Sequence, residues 1–325
     1  MLTDNYDRRI DYLRVSVTDQ CDLRCLYCRP RHLPLPRRSY PRDGELLSND
    51  QILTVVQAAA RLGVRKVRLT GGEPLLRHGI VDLVQSIAQT PGIVDIGLTT
   101  NAMRLAQMAE DLAAAGLKRV NISLDTLQPK RFPRIAGAGT LEMVWRGIEA
   151  AQQANLSPLK LNTVVMKDIN DDELEDFAAM TVKHDWHVRF IEVMPIGGVA
   201  GQDLLVTAAE MQARLPGLVP VEDESGHAAA RVYRWPDARG TIGFISPVSD
   251  HFCAGCNRLR LTADGRLRPC LLSDGEVDLR PALAEGAGSE SLDILIRQAV
   301  ANKPRQHRLA EGILPAQRTM TQIGG

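Results

Sequence analysis

Six short runs rich in β-branched and large apolar residues recur along the first two hundred residues. They are YLRVSVT (12–18), VRKVRLT (64–70), DIGLTTN (95–101), KRVNISLD (118–125), LKLNTVVM (159–166) and HVRFIEVM (187–194). Between most of them lie amphipathic segments: 49–62, behind a Ser48 cap and before Gly63, then 80–89, 104–115, 140–154 and 171–183. Strands that alternate with helices predict parallel βα units, in an α/β barrel or a doubly wound sheet. The alternation stops at the glycine-rich stretch PIGGVAGQD (195–203). Beyond it the order is mixed: a short helix, β-like runs at 231–233 and 241–245, and a second group of cysteines. The expected organisation is therefore a βα domain over 1–200 and a smaller domain over 201–325 that closes it.

The unusual polar residues fall where strands end. CDLRCLYC (21–28) follows the first run, TGGEP (70–74) the second and TTN (99–101) the third. Ser123 and Asp125 sit near the end of the fourth, Lys160 starts the fifth and Met194 closes the sixth. Active sites of βα barrels are assembled from loops at the C-terminal ends of different strands. Singly, each residue has a structural explanation: Met194 as a core methionine, Ser123 as a strand-end hydrogen bonder, GGEP as a turn opening a helix. Their coincidence on one rim points to a site.

All six cysteines belong to two triads, Cys21/Cys25/Cys28 and, within FCAGCNRLRLTADGRLRPC (252–270), Cys253/Cys256/Cys270. No apolar run is long enough for a membrane span, and the N-terminus carries charges where a signal peptide needs an apolar core. A cytoplasmic chain is expected, and in a reducing compartment cysteines are metal ligands or catalytic groups before they are disulfides. Lysine plus arginine balance aspartate plus glutamate at 39 each, so nothing global favours nucleic acid or membrane. The basic run RPRHLPLPRR (29–38) is broken by proline and reads as a solvated loop. Three thiolates could bind zinc with His32 or His251 as fourth ligand, but C-x3-C-x2-C matches zinc spacing poorly. A 4Fe–4S cluster held by three thiolates keeps one iron open for another ligand, which is what a catalytic metal requires. In the second group Asp264-Gly265 reads as a hairpin turn returning Cys270 to Cys253 and Cys256. Arg258 and Arg260, two apart on a strand, share a face suited to phosphate oxygens; Arg266 and Arg268 are left unassigned because a register slip would exchange faces.

Cys21-x3-Cys25-x2-Cys28, with Tyr27 before the last cysteine and GGEP after the second strand, resembles the signature of radical S-adenosylmethionine enzymes. The resemblance implies a partial six-unit TIM-like barrel over roughly 10–195. Its open iron would chelate the methionine moiety of S-adenosylmethionine, and reduction would give a 5′-deoxyadenosyl radical. The second triad, C-x2-C-x13-C with NRLRLT after its second cysteine, and the terminal IGG resemble the GTP 3′,8-cyclase family of molybdenum cofactor biosynthesis. That resemblance implies a second 4Fe–4S cluster whose open iron meets the guanine of GTP. The radical would remove hydrogen from C3′, and C3′ would attack C8 to give (8S)-3′,8-cyclo-7,8-dihydro-GTP. A pyranopterin monophosphate synthase would follow, a flavodoxin- or ferredoxin-type reductant would supply electrons, and a homodimer is the assembly to consider.

Carried over by motif, Arg14, Arg68, Thr99, Lys160 and the Arg258-Leu259-Arg260 run resemble GTP contacts. Tyr27, Gly72, Ser123 and Met194 resemble S-adenosylmethionine contacts, and Gly324-Gly325 a tail reaching the site. No phosphate loop of the G-x4-G-K-S/T type occurs, so side-chain cations would hold the triphosphate. Ala102 stands where the family usually has glycine after TN, at a turn needing positive φ. The rival readings are a peptide-modifying radical enzyme and a non-catalytic metal-binding protein.

Overall fold

The structure, a computed structural model, describes residues 1–29, 46–196, 202–222, 229–284 and 289–324. Most of the basic run, His32, part of PIGGVAGQD and Gly325 lie outside the described residues. Strands β1 (Tyr12–Ser16), β2 (Lys66–Thr70), β3 (Asp95–Thr100), β4 (Arg119–Ser123), β5 (Lys160–Val165) and β6 (His187–Glu192) pair in chain order, every pair parallel. Helices α1 (Asn49–Arg61), α2 (Ile80–Ala88), α3 (Ala109–Ala114), α4 (Phe132–Ala136), α5 (Leu141–Gln153) and α6 (Leu174–Lys183) fill the connections. The start of α1 follows from its sequence: Ser48 Oγ accepts from Gln51 N, and the Gln51 side chain accepts from Ser48 N, closing both ends of a capping box.

Later segments extend the same sheet at both edges. They contribute α7 (Ala208–Ala213), β7 (Val219–Pro220), β8 (Arg231–Arg234), β9 (Thr241–Ile245), β10 (Arg258–Leu261), β11 (Arg266–Arg268) and β12 (Val277–Asp278), then α8 (Arg280–Ala284), α9 (Ser289–Ala301) and α10 (Met320–Ile323). β9 lies parallel to β6 and β10 parallel to β1, and antiparallel strands finish each side. The order is β12-β11-β10-β1-β2-β3-β4-β5-β6-β9-β8-β7, an open barrel rather than a closed one.

Alternation along the strands decides what the barrel encloses. Leu13 and Val15, Val67 and Leu69, Ile96 and Leu98, Val120 and Ile122, and Val188 and Phe190 are buried in the apolar core. Residues that alternate with them, among them Arg14, Arg68, Thr99, Asn121 and Arg189, face the interior. Barrel interiors are ordinarily filled by branched apolar side chains. This one is lined with polar and cationic groups around open space.

Two expectations need refinement. The segment 104–115 is not one helix: a 3-10 turn, Leu105–Gln107, precedes α3, with Met108 at φ −128° between them. The second-triad hairpin closes on the Thr262–Arg266 pair, so its loop is Ala263-Asp264-Gly265, three residues rather than the two of an Asp-Gly turn. Ala102 keeps the left-handed turn at φ 63°. Room for its methyl comes from Gly147 on α5, where an added Cβ would stand 2.6 Å from Ala102 O and 3.0 Å from Ala102 Cβ.

Candidate active site

Both cysteine triads line a single cavity of about 700 Å³, within the range of small-molecule sites. Tyr27, Gly72, Ser123 and Met194 line it, as do Arg14, Arg68, Thr99, Lys160, Arg258 and Arg260. The strand-end loops that carry them are tied together by main chain. Gly72 N donates to Thr18 O at 2.7 Å and Glu73 N to Gln20 O at 2.7 Å, so GGEP lies against the residues that lead into the first triad. An added Cβ at Gly72 would stand 2.1 Å from Gln20 O. The glycine is required by that chain crossing.

Glu73 secures the next loop. Its buried carboxylate accepts from Leu75 N (3.0 Å), Thr100 Oγ1 (2.7 Å) and Asn101 N (2.8 Å). Burial pushes its carboxyl up to about 7 despite those donors. Asn101 in turn donates to Asp22 Oδ1 at 2.8 Å and points its amide at Cys21 Sγ, 3.8 Å away. The Tyr27 hydroxyl donates to Asp125 Oδ2 at 2.9 Å, and Val164 N to Asp125 Oδ1 at 2.9 Å; burial raises the Asp125 carboxyl to about 6. Burial pushes Cys21 up to about 11, Cys28 to about 12 and Cys25 well above an ordinary thiol. Such thiols become thiolates only against a strong cation. Among the described residues no three His, Cys, Asp or Glu side chains close round a single metal ion. A polynuclear cluster makes no such demand, since each thiolate binds a separate iron. The donor set fits that group.

The opposite chemistry lines the barrel wall. Arg14, Lys66, Arg68, Arg119, Lys160, Arg189 and Arg258 face the cavity in a chain of zero formal net charge. Asp95 pairs with Arg119, but no described carboxylate pairs with Lys160 or Arg189. Burial lowers Arg14 and Arg189 to about 10; burial, reinforced by Arg189 and Arg119, lowers Lys160 to about 7. Arg68 Nε donates to the Tyr12 hydroxyl at 2.6 Å. Burial alone would raise that phenol, yet Arg68 and Arg14 bring it down to about 8. Several buried atoms here have no hydrogen-bond partner: Arg68 Nη1, Thr99 Oγ1, Asn121 Oδ1 and Asn162 Oδ1. Native proteins rarely leave such groups unmatched, so a polyanion with further polar groups fits this wall.

The second triad is presented by the β10–β11 hairpin. Arg258 and Arg260 face the cavity, and the Arg258 guanidinium lies 4.9 Å over the Phe252 ring. Leu259, between them, is 1% exposed in the apolar core. Its side chain does not line the cavity, because neighbours on a strand face opposite ways, so within the Arg258-Leu259-Arg260 run only the main chain of Leu259 is left to meet a ligand. Arg260 Nη1 donates to Gly324 O at 2.8 Å, placing the described end of the tail beside the site. Arg318 anchors that tail. Its guanidinium reaches Glu276 (Nη2–Oε2 2.9 Å) and Asp264 (Nη1–Oδ1 3.1 Å, Nη2–Oδ2 2.9 Å). Arg318→Ala is expected to undock the tail, which carboxypeptidase digestion followed by mass spectrometry would report as rapid loss of residues 319–325; wild-type resistance in the variant would show that other contacts hold it.

Sequence reading missed Lys66, Arg119, Arg189, Tyr12 and Glu192. Arg189 had a visible signal, a charge between Val188 and Phe190 on a strand, whereas Lys66 and Arg119 each follow another basic residue, Arg65 and Lys118, which blurs the alternation. Glu192, wholly buried, accepts from Ala208 N (2.8 Å), Val248 N and Ser249 N (2.9 Å each), tying β6 to α7 and to the loop before Cys253. Its partners lie too far along the chain for any local pattern to show.

Comparison with known proteins agrees with this geometry. Residues 15–181 match the Radical SAM superfamily and residues 186–309 match Molybdenum Cofactor Synthesis C. The chain is 49% identical over its full length and the relative's to a GTP 3′,8-cyclase of Pelotomaculum thermopropionicum, and 46% identical, again with both chains fully covered, to one of Desulforamulus reducens. Among solved structures, Streptococcus suis SuiB bound to S-adenosylmethionine superposes with a TM-score of 0.62 at 15% identity, over 89% of this chain and 68% of that one. That likeness concerns the fold.

Proposed function

The chain belongs to the radical S-adenosylmethionine superfamily and, within it, to the GTP 3′,8-cyclase family, and from that premise we propose that it converts GTP to (8S)-3′,8-cyclo-7,8-dihydro-GTP, the first step of molybdenum cofactor biosynthesis. The observation that carries the reading is that two cysteine triads and a wall of cations line one cavity. Cys21, Cys25 and Cys28 hold one 4Fe–4S cluster; Cys253, Cys256 and Cys270 hold the other. When bound, the first cluster and S-adenosylmethionine supply the 5′-deoxyadenosyl radical that takes hydrogen from C3′ of GTP.

The chain's own residues bind, orient and exclude water. Tyr27, Gly72, Ser123 and Met194 form the S-adenosylmethionine side. Arg14, Arg68, Lys160 and Arg189 take the triphosphate, Thr99 Oγ1 finds its missing partner on the bound nucleotide, and Arg258 and Arg260 flank the base beside the second triad. The Arg260–Gly324 bond closes the mouth with the tail, so that a reactive carbon at C3′ is kept from solvent. Among the described residues no helix is long and apolar enough to cross a membrane. We read the protein as cytoplasmic, reduced by a flavodoxin- or ferredoxin-type carrier, handing its product to a pyranopterin monophosphate synthase, with a homodimer as the assembly to test.

The deciding experiment is anaerobic turnover of the reconstituted, reduced protein with S-adenosylmethionine and GTP deuterated at C3′. Deuterium in 5′-deoxyadenosine together with cyclised GTP is the expected result. Cofactor cleavage without deuterium transfer would replace this reading with that of a radical enzyme acting on another substrate.

Lys160 gives the site a pH dependence. In the ligand-free protein its ammonium is half-titrated at about 7, and a bound polyanion favours the charged form. Binding therefore takes up a proton, and affinity falls as pH rises. A pKa near 7 corresponds to roughly five-fold weaker GTP binding at pH 8 than at pH 7. Tyr12, whose phenol titrates at about 8, acts in the same direction. Calorimetry in two buffers of different ionisation enthalpy measures the uptake, and Lys160→Met should remove most of it.

A further inference from the structure

The two triads sit in opposite electrostatic surroundings. Beside the first lie the carboxylates of Asp22, Glu73 and Asp125, opposed by Arg29 near Cys28. Beside the second lie cations: Lys303 and Arg258 near Cys256, and near Cys253 Arg8, which is itself paired with the buried Asp4 at 2.6 Å. Lys303 is the least expected of these. It is 3% exposed, and no described carboxylate pairs with it. Its Nζ donates to Arg258 O at 2.8 Å and to Pro269 O at 2.6 Å, and its charge lies beside the Cys256 thiol. Those acceptors belong to the two arms that carry the triad, one just past Cys256 and one immediately before Cys270. The neighbouring segment joins in: Arg8 Nη1 donates to Cys253 O at 2.8 Å and Arg305 O at 3.0 Å, and Nη2 to Pro304 O at 2.6 Å.

A buried ammonium is costly unless an anion compensates it. Carbonyl dipoles do so in part; three thiolates around an iron–sulfur cluster complete it. Adding an electron to such a cluster adds negative charge, and net charge and hydrogen bonds to sulfur are what set its potential. A cation fixed against Cys256 stabilises the reduced form more than the oxidised one. Carboxylates around the first triad do the reverse.

We propose that Lys303 is a positioning residue of the second triad, whose fixed charge raises the reduction potential of the cluster held there above that of the cluster at the first. The proposal rests on the second triad holding a cluster, as read above. It orders the two one-electron acceptors in the cavity. The first remains the stronger reductant, as cleavage of a sulfonium requires, and the second is the easier to reduce.

The test is a redox titration followed by electron paramagnetic resonance on the full chain carrying Cys21→Ala, Cys25→Ala and Cys28→Ala, so that only the second cluster contributes. Its midpoint should lie above that of the complementary protein with Cys253, Cys256 and Cys270 replaced. Lys303→Gln, which keeps amide donors for the two carbonyls but removes the charge, should lower the midpoint, and Lys303→Arg should restore it. An unchanged midpoint in Lys303→Gln, or a fall that Lys303→Arg does not reverse, overturns the proposal. So does a second cluster that is harder to reduce than the first. Loss of iron from both Lys303 variants with unchanged circular dichroism would make Lys303 a structural post only, and would equally overturn it. If the parent protein with an intact Lys303 binds no iron at the second triad, the cluster reading itself fails instead.

Discussion

Cys256→Ala is expected to separate the two halves of the chemistry, leaving 5′-deoxyadenosine formation measurable while cyclised product falls by at least about 1000-fold, more than 4 kcal/mol in the barrier. Cys25→Ala should abolish both. The asymmetry follows from what each triad borders. Cys25 lies beside Cys21, Cys28 and Asp125 in a loop bonded to GGEP, where S-adenosylmethionine is read to sit. Cys256 lies beside Lys303 and Arg258 at the hairpin where the base is read to sit. Iron in either variant should drop by about half, since each triad serves its own cluster. Product from Cys256→Ala at near wild-type rates would remove the second triad from the chemistry. Absence of 5′-deoxyadenosine in Cys256→Ala, with the first cluster loaded, would show that the two sites cannot be separated.

How far the sequence reached depended on the range of the interaction. The six strands and most helices were legible because hydrophobic alternation and capping are local. Ser48 with Gln51 three residues on is such a signal, and α1 begins there. The thiol triads were legible from spacing, and the inward pair Arg258/Arg260 from strand periodicity. What escaped needed three dimensions. Nothing local says that β9 and β10, both past residue 240, would dock on opposite edges of the barrel. Nor does Lys303, in ANKPRQ, look different from a surface lysine until the fold puts it among carbonyls 34 and 45 residues away. Gly72 came from a motif as a cofactor contact, and the group that makes a glycine necessary there is Gln20 O. The residue type reports that space is scarce and not what fills it. Leu259, carried over with its neighbours as one run, differs from them by the strand alternation that buries its side chain.

Arg189→Leu is expected to weaken GTP binding by about 2–5 kcal/mol, roughly 30- to 5000-fold in Kd, without lowering the melting temperature of the ligand-free protein. Most buried-charge replacements would destabilise, because they strand a partner. Arg189 has no described carboxylate to strand. The charges that act on it are Arg68, Arg119 and Arg258, all of its own sign, with Tyr12 opposing them, and Arg189 acts in turn on Lys160. The wall is thus in a strained arrangement before substrate arrives: cations are held close together for a polyanion, and the fold carries their repulsion. Leucine removes one source of that repulsion and fills the space with apolar surface, so stability should hold or rise as affinity collapses, the trade-off expected of a binding site. Titration calorimetry with GTP and scanning calorimetry without it would measure the two effects separately. A fall of several degrees with binding intact would instead make Arg189 part of the architecture and return the triphosphate to Arg14, Arg68 and Lys160 alone.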